Sequence, residues 1–288
     1  MHVVPALILG IAFAMQPPST GSKPATGTTA SQPATGAANG QPVPTGAQPI
    51  NPPEPPKPTP VPVPDGPVVN KQELEGGLII EDLKIGDGYE VKPGGAVVAY
   101  YHGTLKADGK VFDSAFDRGE PLGFGLSGVI QGWQKGVPGM KVGGVRRLTI
   151  PAALGYGAQG AGAQIPPNSD LVFVIQLVDA IRTEDIKEGE GEPATGTFVA
   201  VTAYSLKDAE GKEIEKADAA KPYIWIPNEL QGVQLGLEGM KVGGKRKIHI
   251  PKEFAIGNAN LAPNRPQKVP MDAEVELLNL RVLNTRRR

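Results

Sequence analysis

Gly139-Met140-Lys141-Val142-Gly143-Gly144, with Arg146 and Pro151 behind it, returns as Gly239-Met240-Lys241-Val242-Gly243-Gly244, with Arg246 and Pro251. The spacing is 100 residues, and it extends backwards to Gln131-Gly132 against Gln231-Gly232. Gly-Gly inside matching segments marks a tight turn leading into a strand. A period this long exceeds the repeat of a solenoid, roughly 20–50 residues, so the two stretches belong to a duplicated domain. The first copy is expected at 76–182 and the second at 183–288.

Around the first Gly-Gly, Leu78-Ile79-Ile80 and Ala96-Val97-Val98-Ala99-Tyr100-Tyr101 are short β-prone runs bounded by Gly and Pro. Leu171 to Val178 is a longer one, with Leu171, Phe173, Ile175 and Leu177 on one face. Val129 to Val137 ends before Pro138-Gly139, which suits one short helix. Antiparallel strands around a single helix make each copy an α+β domain.

The chain has 288 residues, a length that accommodates two domains of ordinary size. Its 38 glycines and 30 prolines, with only 5% aromatic residues, dilute a globular composition, so part of it contributes nothing to a core. That part is 16–75, where Pro, Thr, Gly, Ala and Gln dominate and Pro52-Pro53-Glu54-Pro55-Pro56-Lys57-Pro58 reads as a spacer. Residues 1–15 read as a signal peptide. The apolar run Val3–Met15 is too short to span a bilayer, which needs about 20 residues, and it ends in the small-x-small triplet Ala12-Phe13-Ala14. Export to a periplasm or cell envelope is expected, with no membrane span left after cleavage; an uncleaved segment would instead hold the chain at the membrane.

The formal net charge of −1 gives no electrostatic reason to expect nucleic acid as partner. With no cysteine, disulfides, thiolate catalysis and Cys-ligated metal are excluded. His2, His102 and His249 lack metal-ligand spacing, and His102 reads as an exposed strand residue. The glycine-rich stretch Gly155 to Gly162 has no Gly-Lys-Ser/Thr ending and runs into Pro166-Pro167 rather than a helix, so it is no phosphate loop. No metal or cofactor is expected.

Six blocks of the first copy resemble the FKBP family in order and spacing. They are Val98-Ala99-Tyr100-Tyr101-His102-Gly103, Asp108 to Ser114, Val129-Ile130-Gln131-Gly132-Trp133, Leu154-Gly155-Tyr156-Gly157, Ile165-Pro166-Pro167-Asn168 and Leu171-Val172-Phe173. The resemblance implies a twisted antiparallel sheet wrapped around one short helix, and peptidyl-prolyl cis/trans isomerase activity in the pocket between them. It places Tyr101, Phe112, Asp113, Trp133, Tyr156 and Phe173 at the reacting bond, with Trp133 as the floor. Val129, Ile130, Ile165, Leu122, Phe124 and Arg118 complete the substrate site. Asp113 is expected to accept from the Tyr101 hydroxyl and from Arg118. Pro-containing polypeptide clients and macrolide inhibitors are the implied partners, with Ala161 and Gln164 departing from the family pattern in a loop that bears on macrolide affinity. Taken singly, Phe112, Trp133 and Phe173 would read as core aromatics.

These residues suit the chemistry. An X-Pro bond isomerises over a barrier of about 18–20 kcal/mol because amide resonance resists twisting. No bond to carbon breaks, so no nucleophile is required. An apolar pocket strips water from the amide and disfavours its charge-separated planar form, while the Tyr156 hydroxyl and the Ile165 backbone N–H are expected to hold the substrate carbonyl. A gain of about 10⁴ in rate requires only about 5.5 kcal/mol. The alternative class is a chaperone that holds Pro-containing peptides without catalysis.

The second copy is expected to keep the scaffold and lose the site. By offset, Trp133 falls on Val233, Val129 on Glu229, Tyr156 on Ile256, Tyr101 on Thr202, Phe112 on Ile214 and Asp113 on Glu215, with Phe173 near Val275. The loss of the aromatic floor and both tyrosine hydroxyls would leave an inactive module.

Overall fold

A computed structural model describes residues 58–258, 260, 262 and 265–283. The expected signal peptide at 1–15 and the spacer up to residue 57 lie outside the described residues. Among the described residues no helix is long and apolar enough to cross a membrane.

The alternating runs fold as antiparallel strands in two sheets. The first holds β1 (Asn70–Leu74), β2 (Leu78–Lys84), β3 (Ala96–Leu105), β4 (Val111–Ser114), β5 (Leu122–Gly125), β6 (Val145–Ile150) and β7 (Leu171–Ala180). Their order is β1-β2-β6-β7-β3-β4, with β5 paired to the beginning of β3. Two short helices, α1 (Ala115–Arg118) and α2 (Gln131–Gly136), belong to this unit. The second sheet holds β8 (Arg182–Lys187), β9 (Phe198–Asp208), β10 (Glu213–Ala217), β11 (Tyr223–Trp225), β12 (Lys245–Ile250) and β13 (Met271–Val282), with α3 (Gln231–Leu237). Its order, β10-β9-β13-β12-β8 with β11 on β9, repeats the first without a counterpart of β1.

The spacer expected to run to residue 75 therefore ends earlier. Asn-Lys-Gln-Glu-Leu of β1 shows no apolar alternation, and all but Leu74 is exposed. A ladder to β2, from Asn70↔Asp82 to Leu74↔Leu78, holds it at the sheet edge, an interaction that needs no apolar pattern. Further upstream, the Val61 N–H donates to the Phe116 carbonyl at 2.8 Å.

The repeated motif has a structural cause. Arg146 is buried, donates to Asp82 at 2.6 Å and to the Gly136 carbonyl at 2.7 Å, and so satisfies a helix end left without partners. Arg246 does the same with Asp185 at 2.6 Å and Gly236 at 3.0 Å. Gly143 and Gly243 sit at φ +87° and +86°, a region side chains rarely enter. A methyl group on Gly132 would lie 2.5 Å from Ile150, and one on Gly136 2.8 Å from Leu148, so the glycines let α2 lie directly on β6.

One residue, Ile181, joins β7 to β8, where a break between 182 and 183 was expected. Its N–H donates to the Ala96 carbonyl at 2.9 Å, and Ala96 and Val98 pack in the second domain's core. The Phe254 ring lies against Gly123, 2.9 Å from where a Cβ would stand.

Candidate active site

Strand alternation delivers the aromatic groups. β3 turns Ala99, Tyr101 and Gly103 inward, and β7 turns Phe173, Ile175 and Leu177 to meet them. At Gly103 a Cβ would lie 2.7 Å from the Phe112 ring and 2.9 Å from Phe173, so the missing side chain makes room for both rings. Trp133, on the inner face of α2, meets Phe173 at 5.4 Å and 87°, Tyr101 at 5.9 Å and 82°, and Phe124 at 5.3 Å. Phe112 meets Phe173 edge to face at 5.5 Å. These edge-to-face packings are the favoured arrangement of aromatic quadrupoles. They leave a small apolar cleft of about 10 Å³ walled by Tyr101, Phe124, Val129 and Trp133. Trp133 is 3% exposed, and its Nε1–H is buried with no acceptor among the described residues. Such a donor costs about 1–3 kcal/mol, a penalty borne at the floor of the cleft.

One wall is polar. The Tyr101 hydroxyl donates to Asp113, and Arg118 donates to Asp113 through Nη1 and to the Tyr101 oxygen through Nη2 at 2.7 Å. Asp113 comes from β4 and Arg118 from α1. Ser114 caps α1, accepting from the Asp117 N–H at 3.1 Å. His102 contacts the Ser114 hydroxyl at 3.1 Å and is half-buried, a departure from the exposed position expected of it. Burial, with Asp113 adding to it, raises the Tyr101 phenol far above its ordinary range. Burial chiefly, and the Asp113 charge next, push Tyr156 up to about 12. Both phenols are O–H donors throughout the neutral range. The Tyr156 hydroxyl has no partner among the described residues, whereas that of Tyr101 is engaged.

Ile130 is buried at the start of α2, where its carbonyl accepts from the Trp133 N–H at 3.0 Å. Ile165 is buried in the loop before β7. Its N–H, expected to serve the substrate carbonyl, is already bonded to the Ala161 carbonyl at 3.1 Å, and the Ala161 N–H returns the bond at 2.9 Å. This two-residue bridge closes the loop and consumes the donor, which leaves Tyr156 as the free one. Leu122 lies on the same side of β5 as Phe124, half-buried, at the edge facing the second domain. A larger hollow of about 810 Å³ lies over β8, β9, β12 and β13, but open charged side chains such as Lys207, Lys247 and Glu274 line it.

The family model described as FKBP-type peptidyl-prolyl cis-trans isomerase matches residues 88–178 and again 189–278. The chain belongs to the FKBP family. The FK506-binding protein of Neisseria meningitidis serogroup B is 50% identical over 105 residues, 36% of this chain and 95% of that protein. Peptidyl-prolyl cis-trans isomerase FPR2 of Saccharomyces cerevisiae is 45% identical over 113 residues, 37% of this chain and 81% of that protein. The crystal structure of a peptidyl-prolyl cis-trans isomerase of Pseudomonas syringae is 38% identical, covering 38% of this chain and 80% of that one at a TM-score of 0.36.

The second FKBP domain builds its site differently from expectation. Ile175 faces Tyr101, and Val275, 100 residues on, faces Tyr204, so Tyr101 corresponds to Tyr204 and not to Thr202. The hairpin from this tyrosine to its carboxylate is one residue shorter in the second domain, 11 against 12, and the stretch from there to the helix is shorter again, so the offset is 103 in β9 and falls to 100 at α3. One tyrosine hydroxyl therefore survives, donating to Glu215 as Tyr101 donates to Asp113. Phe173 corresponds to Ala273, which faces Ile248 as Phe173 faces Leu148, and not to Val275. Trp133 is replaced by Val233, but Trp225 enters at the β11 position equivalent to Phe124 and packs on Tyr204 at 5.0 Å.

Arg265 then fills the middle. It stands 100 residues after Ile165, with its side chain only 1% exposed. Its guanidinium lies 4.9 Å over the Trp225 ring, bonds Glu215 at 3.0 and 3.1 Å, and reaches Glu229 at 3.5 Å. Tyr223 donates to Glu229 from the other side. The first domain keeps an apolar cleft; the second has occupied the corresponding space with its own cation.

Proposed function

We propose that the first domain isomerises X-Pro bonds in exported polypeptides and that the second does not. The reading is supported most by the small apolar notch that Tyr101, Phe124, Val129 and Trp133 wall in the first domain. A prolyl ring would part these edge-on aromatics, whose cleft is only about 10 Å³ in volume, and once seated would have water excluded from its amide. Tyr156 donates to the substrate carbonyl and fixes the rotating group. Asp113 and Arg118 hold Tyr101 in its rotamer and take no proton from the reaction. Arg265 denies the second domain a cavity. Export rests on the segment Val3–Met15, and cleavage after Ala14 is the expected processing. FK506, for which the Neisseria relative is named, would compete for the same cleft.

A protease-coupled isomerisation assay on the whole chain tests this. Wild type should turn over a short X-Pro peptide, and Trp133→Leu, which keeps an apolar floor but loses the aromatic surface, should lose about 10²-fold through substrate misplacement. Equal rates for the two would reject the assignment to the first domain.

A further inference from the structure

We propose that the groove between the two domains binds the stretch of client polypeptide adjoining the proline, with an apolar residue of that stretch on Ile256. The proposal rests on the isomerase reading above and gives the second domain a part in it.

The groove has a volume of about 560 Å³. Leu122 and Phe124 of β5 form one side; Ile256, Lys252, Glu253 and Lys268 of the second domain form the other. Phe124 also walls the prolyl cleft, so the two hollows adjoin at this ring, and a chain leaving the cleft past it would run along Leu122 toward Ile256. Ile256 is 44% exposed, although it stands where the first domain has Tyr156. The second domain's own site is filled by Arg265 and makes no use of it.

The opposite wall is held in shape. The Lys268 backbone adopts φ +56°, rare for a residue with a side chain, and its N–H donates to the Ala255 carbonyl at 2.9 Å. Strain of this kind persists only where surrounding structure imposes it, and it concentrates at binding sites. The contact of Phe254 with Gly123 and the bond from Ile181 to Ala96 hold the two walls together. An apolar floor with Glu120 and Glu253 against Lys252 and Lys268 on the rims suits an extended segment carrying an apolar side chain and no strong net charge.

The experiment compares two substrates on the whole chain: a tetrapeptide confined to the cleft, and a 15-residue peptide with central proline and flanking leucines. Ile256→Asp should lower the ratio of long-substrate to short-substrate kcat/KM about fivefold, the loss expected for half-burying an isoleucine. Ile256→Leu should restore the ratio. Ile186→Asp, at an exposed isoleucine on β8, should leave it unchanged. A ratio indifferent to Ile256→Asp overturns the groove while leaving the isomerase intact; wild type inactive on both substrates overturns both. If deleting residues 16–57 raises the long-substrate rate, the chain's own Pro-rich segment occupies the groove and the client assignment fails. It fails equally if sedimentation shows self-association that Ile256→Asp abolishes.

Discussion

Ile165 is a buried apolar residue of the first domain, whereas Arg265 at the same count in the second lays its guanidinium over Trp225. The strands, the tyrosine–carboxylate pair and the helix on glycine contacts are common to both. What differs is whether the space between sheet and helix is walled by rings standing on edge or consumed by a buried ion network. The scaffold tolerates either content because Arg146 and Arg246 tie the sheet to the C-terminal end of the helix through bonds that neither site uses. Scaffold and site are separable here: one can be retained residue for residue while the other is rebuilt.

The strongest way to break the comparison is to remove the plug. Arg265→Ala leaves Glu215 and Glu229 facing each other without a cation, and loss of one partner from a buried pair costs about 3–5 kcal/mol. Urea denaturation should register that loss in the second domain's transition; a change under about 1 kcal/mol would mean that the network is solvated and the site not truly filled.

Tyr156→Phe should lower kcat/KM on a short X-Pro peptide about tenfold, the value of one lost hydrogen bond of about 1.4 kcal/mol. Stability should stay within about 0.5 kcal/mol, because the hydroxyl has no hydrogen-bond partner among the described residues. Equal losses in rate and stability would show that it is structural.

Asp113→Asn should cost less than tenfold, far below the 10²–10⁴ of a general base. The amide still accepts from Tyr101 and gives up only its charge toward Arg118. With Tyr156 titrating at about 12 and Tyr101 higher still, the rate should be flat from about pH 6 to 9. A bell-shaped profile in that window would assign Asp113 a proton-transfer role.

The smallest effect belongs to the seam between domains. His249 lies 3.8 Å from Asp179 of β7 and 2.8 Å from Asp272 of β13. The nearby Asp179 carboxylate chiefly, and the bonded Asp272, raise its pKa against the opposing effects of burial and Arg182. The folded chain thus holds this proton more tightly than the unfolded one. The stabilisation is complete below about pH 6.5 and is lost as pH rises through the raised folded value. Solvent screening keeps it under about 1 kcal/mol. Thermal melts at pH 6 and 8 should show it in wild type and not in His249→Gln.

The aromatic cluster of the first domain and its Tyr101–Asp113 bond were legible because Tyr101, Phe112, Asp113, Trp133 and Phe173 each sit in a short block whose order could be read. What escaped reading were features made by register and backbone. A shorter span between β9 and α3 put Tyr204, and not Thr202, in the place of Tyr101. The Ile165 N–H was consumed by a bond to Ala161, which no side-chain pattern announces. Strand β1 was hidden by its polar composition. Arg265 did leave a signal, an arginine where the first copy has isoleucine, with Glu229 already noted where the first copy has Val129; read together, the two substitutions would have given the plug.

The strand made last in each domain, β7 or β13, lies inside its sheet, between β6 and β3 or between β12 and β9. Neither half can close its core before its final strand has been synthesised: a chain stopped short of Leu171 has β6 and β3 with no strand between them. Pairing that spans so much sequence also closes slowly. Because only Ile181 separates β7 from β8, the strand that completes the first domain leads straight into the one that opens the second, and the nascent chain has almost no pause between finishing one sheet and starting the next.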